Sequence, residues 1–217
     1  MSSQDSALAP PLLRGYLHLA GAMVAPFAMI HLIYVADTPR AVAGAAVFGI
    51  SLILLYATSA MYHIAPWSAT VRPLVRRLDH AMIFIFIGGM YTPFALMLMS
   101  KELSITVLLV VWGLAGVGVV LKWAALKTPH WVSIGLYLSM GWFAIVPALY
   151  VAPAVPREVV LLPAVVGVMC SIGTAIYLTR WPNPFPRVFG YHEIFHTLVV
   201  ISTAILYSVL AIYVLPS

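Results

Sequence analysis

Two histidines four residues apart, His192 and His196, open one long apolar run, and a third, His63, closes another. An i, i+4 pair sets two imidazoles on one side of a helix, a spacing suited to two ligands on a single Zn²⁺. His63 would be the third ligand, supplied by a facing helix. Three protein nitrogens and an open fourth position make a catalytic rather than a structural zinc arrangement, one that lowers the pKa of water toward about 7. Asp79 begins a further apolar run and is placed to hold that water. Ser59 lies four residues before His63 and shares its face. Ionisable groups within apolar segments are costly, so each of them proposes a function by default.

Every one of these residues also has an ordinary reading. A histidine pair at this spacing can be structural, and Asp79 can cap its helix or pair with Arg76 or Arg77. Ser59 can bond a carbonyl of its own helix. The remaining histidines carry less. His80 points roughly 100° away from Asp79, so the two cannot aim at one metal. His31 and His130 read as interfacial, and His18 as a residue near enough to support a ligand.

The elements that must position these groups are membrane spans. Of 217 residues, 63% are hydrophobic and only 8% charged, with a mean hydropathy of +1.04. Soluble domains carry roughly a quarter charged residues, so the chain is expected to be an all-α integral membrane protein. Seven apolar windows reach the ~20 residues a crossing needs: Tyr16–Val35, Ala41–His63, Leu78–Ser100, Ser104–Leu126, Trp131–Val151, Val159–Leu178 and Tyr191–Leu215. Residues 1–14 are expected to form a short cytoplasmic tail without a signal peptide, and residues 15–217 one seven-helix domain. Gly113, Gly116 and Gly118 would allow close helix contact, while Pro93 and Pro147 would kink their spans. Cys170 reads as a small buried hydrophobe.

Charge placement predicts orientation. Arg14, Arg72, Arg76, Arg77, Lys122, Lys127, Arg180 and Arg187 fall on the side of the N-terminus, against Arg40, Lys101 and Arg157 on the other. This asymmetry puts the N-terminus in the cytoplasm and, with an odd number of spans, the C-terminus outside. The net charge of +5 therefore reports topology and not nucleic acid, although the Arg72, Arg76 and Arg77 cluster also suits anionic headgroups. His63 then ends an inward span, while Asp79 and His192 open outward ones. All three lie at one depth near the cytoplasmic surface, and this agreement favours the joint metal reading.

The stretches Ser59-Ala-Met-Tyr-His63, Leu78-Asp-His-Ala-Met-Ile-Phe, Gly89-Met-Tyr-Thr-Pro-Phe94 and His192-Glu-Ile-Phe-His196 resemble the haemolysin III-type bacterial branch of the progestin and adipoQ receptor family. That family sits in a wider group, including alkaline ceramidases, held to share metal-dependent hydrolase chemistry. The resemblance runs from Leu13 to Val214 and implies a seven-helix bundle in the bacterial plasma membrane with a cytoplasmic zinc site. It implies zinc ligation by His63, His192 and His196, with Asp79 acting through a water and Ser59 beside it. One departure stands out: where the family often has a glutamate and an asparagine before the first-span histidine, this chain has Pro11 and Arg14, although His18 remains.

Four functions are compatible with these residues. The first is a zinc-dependent hydrolase of a lipid amide or ester, with Asp79 deprotonating water and Ser59 donating to the oxyanion. The second is a sensor of membrane homeostasis or a receptor-like protein whose zinc is mainly structural. A pore-forming haemolysin is the third, with no polar stripe along a span to support it. A haem carrier using His63 and His192 is the fourth, and it leaves His196 and Asp79 unexplained. In the first two a membrane lipid is the expected substrate or ligand.

Overall fold

A computed structural model describes residues 11–124 and 130–216. Most of residues 1–14, the Lys127 charge, the Leu126 end of the fourth window and the His130 side chain lie outside the described residues. The chain forms helices α1 (Tyr16–Tyr34), α2 (Pro39–Ile64), α3 (Arg72–Leu98), α4 (Lys101–Trp123), α5 (His130–Trp142), α6 (Ile145–Val151), α7 (Arg157–Thr179) and α8 (Tyr191–Val209). A π-helical turn, Leu210–Val214, extends α8. Among the described residues seven segments are long and apolar enough to cross a membrane, with α5 and α6 sharing the fifth. The expected seven-span bundle is what the chain forms.

Local chemistry sets the helix ends. Thr38 Oγ1 accepts from the Ala41 N–H at 3.1 Å, with Pro39 at the first position of α2, where no N–H is needed. Ser100 Oγ does the same for Leu103 at the start of α4. Two boundaries differ from the apolar windows. α3 begins at Arg72, six residues before Leu78, because hydropathy fades at the bilayer edge whereas backbone hydrogen bonding does not. The fifth span breaks between Trp142 and Ile145. Pro147 explains this: it has no N–H to give the Phe143 carbonyl four residues back, and its ring crowds that carbonyl.

The helices pack largely in chain order, α1 on α2, α2 on α3 and α3 on α4, then α7 on α8 and α8 back on α1. α5 bridges α3, α4 and α7. One core gathers Leu32, Phe48, Leu52, Leu55, Leu206 and Val209; a second gathers Phe84, Val107, Val111 and Met140. Phe27, Leu109, Leu149 and Leu161 lie exposed on the outside, where hydrocarbon replaces water. Of the three span-four glycines only Gly118 makes a close approach, its face lying against the Phe84 ring; Gly113 and Gly116 meet nothing within 4 Å. The expectation of close contact fails for those two because their side of α4 turns away from the bundle.

Candidate metal centre

The last turn of α2 delivers His63 to the same end of the bundle as the first two turns of α8, which carry His192 and His196. The Nε2 atoms of His63 and His192 are 3.2 Å apart. One ligand nitrogen from each of the three histidines falls within 4.8 Å of the others. Tetrahedral zinc at roughly 2.0–2.1 Å from each nitrogen sets neighbouring nitrogens roughly 3.3–3.4 Å apart; His63 and His192 already stand near that spacing, and the widest separation in the group has to close from up to 4.8 Å. Among the described residues no fourth His, Cys, Asp or Glu joins the group, which leaves the shell open on the protein side.

Two contacts hold these rings. His18, on α1, lies flat against His196, with ring centroids 3.9 Å apart and planes 2° from parallel. Both His18 nitrogens are buried without a hydrogen-bond partner. In-plane lone pairs on two parallel, separated rings cannot converge on one ion, so His18 orients His196 and is not a fourth ligand to the same metal. Gly15, at φ 85°, brings the backbone onto His63: a Cβ there would come within 2.8 Å of the His63 Cβ. Only glycine takes that φ without strain and leaves that space.

Beside the rings lie residues whose part the sequence did not reveal. Glu193, between the two α8 histidines, is 1% exposed; its Oε1 accepts from Arg14 Nε at 2.8 Å and its Oε2 from the Gly190 N–H at 2.8 Å. Arg14 thus has a structural partner beyond its contribution to orientation. An acid in an apolar helix start demands such a partner, and that was the signal available. The segment before α1 is also pinned by backbone bonds from Leu12 N to Arg187 O (3.0 Å) and Leu13 N to Val188 O (3.2 Å).

Asp79 stands outside the ligand group. Because α3 starts at Arg72, Asp79 lies in its third turn and does not cap it. Its carboxylate bonds with Ser59, on α2 and roughly 6 Å along the axis from His63, and also lies 3.5 Å from His80 Nδ1 on its own helix. Ser51 and Thr58 on the same helix instead bond back to the carbonyls of Phe48 (2.9 Å) and Leu54 (2.7 Å). Asp79 is therefore tied to the helix that carries His63, one turn deeper. His80 Nδ1 donates to the Arg76 carbonyl at 2.7 Å and takes no place in the cluster. His31 is far from it, bonded to Tyr207 Oη at 2.8 Å.

Three neutral imidazoles, a carboxylate and a hydroxyl can hold a divalent ion, accept a proton and donate one hydrogen bond. A haem held between His63 and His192 would leave His196, which belongs to the same group, without a role.

A family model described as Haemolysin-III related matches residues 7–207. The chain is 31% identical over 168 residues to a protein named Hemolysin-3 homolog of Bacillus subtilis (strain 168), spanning 77% of this chain and 75% of that one. It is likewise 31% identical over 204 residues to Hemolysin-3 of Bacillus cereus, spanning 92% and 90%.

Proposed function

The chain belongs to the haemolysin III-related family of multi-pass bacterial plasma-membrane proteins, and from that premise we propose that it is a zinc-dependent hydrolase of a lipid amide or ester. The observation that carries this reading is the three-histidine group, complete within 4.8 Å and open to a further ligand. His63, His192 and His196 would hold Zn²⁺. When bound, the ion supplies Lewis acidity to an acyl carbonyl and makes water acidic enough to attack near neutral pH.

The chain's own residues do the rest. Asp79 takes the proton of the attacking water on a carboxylate oxygen, and Ser59 orients that carboxylate through their mutual hydrogen bond. In the acyl-transfer step the Ser59 hydroxyl can instead donate to the developing oxyanion. His18 and Gly15 keep His196 and His63 in place. On this reading the site faces the cytoplasm, as the charge asymmetry of the sequence leads one to expect.

The second reading, a sensor with a structural ion, is favoured by the way the histidines join α2 to α8 while His18 adds α1. A closed four-ligand shell is what such a site prefers, and the group has three. The test is turnover of a panel of lipid amides and esters by purified protein, before and after zinc stripping and reloading. The hydrolase reading expects cleavage lost on stripping and restored by Zn²⁺. Unchanged lipids together with a zinc-dependent rise in thermal stability would favour the sensor, and dye efflux from liposomes the pore.

A further inference from the structure

On the same face of the bundle a second concavity opens, of about 380 Å³. Its wall takes Arg72, Arg76, Arg77 and His80 from α3, Lys122 from the last turn of α4 and Tyr62 from the end of α2. Among the described residues no carboxylate lines it.

Cations on this face follow from membrane orientation alone, so their placement is what carries information. Residues 65–71, which join α2 to α3, contain no charge, although a cation in a loop would serve orientation equally well. Instead Arg72, Arg76 and His80 recur at four-residue spacing and form one stripe on α3. The stripe lies at the N-terminal end of the helix, where the macrodipole opposes positive charge and like charges four apart repel. Lys122 adds to it from a second helix. Its Nζ donates to Ser133 Oγ at 2.7 Å and sits 5.9 Å from the centre of the Tyr137 ring, within Coulombic range of Arg76.

Four permanent cations thus converge on one cavity against two local penalties, with a single carboxylate, Asp79, behind the wall 3.5 Å from His80 Nδ1 and coupled to Arg76. An anion in the cavity turns that repulsion into charge-assisted hydrogen bonds. The guanidinium forks of Arg72 and Arg77, with the ammonium of Lys122 beside them, offer the several N–H donors that match a tetrahedral oxyanion. We propose that the cavity lined by Arg72, Arg76, Arg77 and Lys122 is a phosphate-binding site, filled by the headgroup of an anionic membrane lipid or by free phosphate. It adjoins the histidine centre, since Tyr62 and His80 neighbour His63 and Asp79 in the chain. It stands whether or not a lipid bond is cleaved there.

The test uses the full chain. Native mass spectrometry follows lipid retained from nanodiscs of phosphatidylcholine mixed with phosphatidylglycerol, and thermal unfolding is compared in sodium phosphate and in sodium chloride of matched ionic strength. Arg72→Gln and Arg76→Gln alter exposed side chains; Arg157→Gln, 84% exposed at the start of α7, is the control. Preference for phosphatidylglycerol, weakened about tenfold by either α3 change and unaffected by Arg157→Gln, supports the site. Retained lipid that phosphate cannot displace assigns the headgroup as the source. A phosphate-specific rise in unfolding temperature without lipid retention, lost in the α3 variants, assigns free phosphate. Equal retention of both lipids with no phosphate-specific shift overturns the proposal on the unaltered protein alone, so a misfolded variant cannot protect it. Losses in the α3 variants no larger than in Arg157→Gln overturn it as well.

Discussion

Glu193 lies between two histidines of the metal group yet turns away from them, its carboxylate held by Arg14 from 179 residues earlier in the chain. That pair ties the segment before α1 to the start of α8. Breaking a buried pair by removing one partner strands the other charge. Arg14→Ala is expected to cost about 2–3 kcal/mol, below the usual range for a buried pair because the guanidinium is partly exposed. Glu193→Gln combined with Arg14→Ala is expected to recover part of the loss. Thermal unfolding of the purified protein in detergent measures both, and equal stability of the single and the double variant would count against a buried pair.

On the hydrolase proposal Asp79 and Ser59 do chemistry, and Asp79 meets the ion only through a water. Asp79→Asn is expected to retain zinc while lowering lipid turnover by about 10²–10⁴-fold. Ser59→Ala should lower it less, since the carboxylate remains. Metal content and turnover measured on the same preparations separate the two roles; loss of metal in Asp79→Asn would make the aspartate a ligand.

The seven spans and the three histidines were legible in the sequence, because a 20-residue apolar run and an i, i+4 histidine pair are local patterns. The link between Arg14 and Glu193 was not, since nothing local tells an arginine which distant acid it will meet. Nor was the true start of α3: Arg72 to Arg77 read as a loop by hydropathy but are helical by hydrogen bonding. Gly113 and Gly116 read as packing glycines alongside Gly118 because spacing does not reveal which side of α4 faces Phe84.

His18 tests the support of a ligand ring. His18→Phe keeps a flat ring against His196 and removes two buried nitrogens that have no partner. It is expected to be neutral or stabilising by about 1 kcal/mol, with zinc affinity close to that of the unaltered protein. His18→Ala deletes the ring and should weaken zinc binding about 10–100-fold. Competition with a chromophoric chelator reads both; equal affinities in the two variants would remove the stacking role.

Gly15 and Gly118 separate damage to the centre from damage to the fold. Gly15→Ala demands a strained φ and pushes on His63, so it should cost about 2 kcal/mol and weaken zinc binding. Gly118→Ala pushes on Phe84, remote from the histidines, and should destabilise by about 1–3 kcal/mol with zinc binding unchanged. The pair is compared by thermal unfolding with and without zinc. A weakened zinc response in Gly118→Ala as large as in Gly15→Ala would deny Gly15 its special place.

The central claim is that α2 and α8 grip one divalent ion between them. Elemental analysis of protein purified without added chelator tests it most directly, with His63→Ala, His192→Ala and His196→Ala alongside and circular dichroism confirming helicity in each. About one zinc per chain is expected in the unaltered protein, falling close to zero in each folded variant. Folded variants that keep as much zinc as the unaltered protein, or an unaltered protein that takes up none at saturating Zn²⁺, would contradict it.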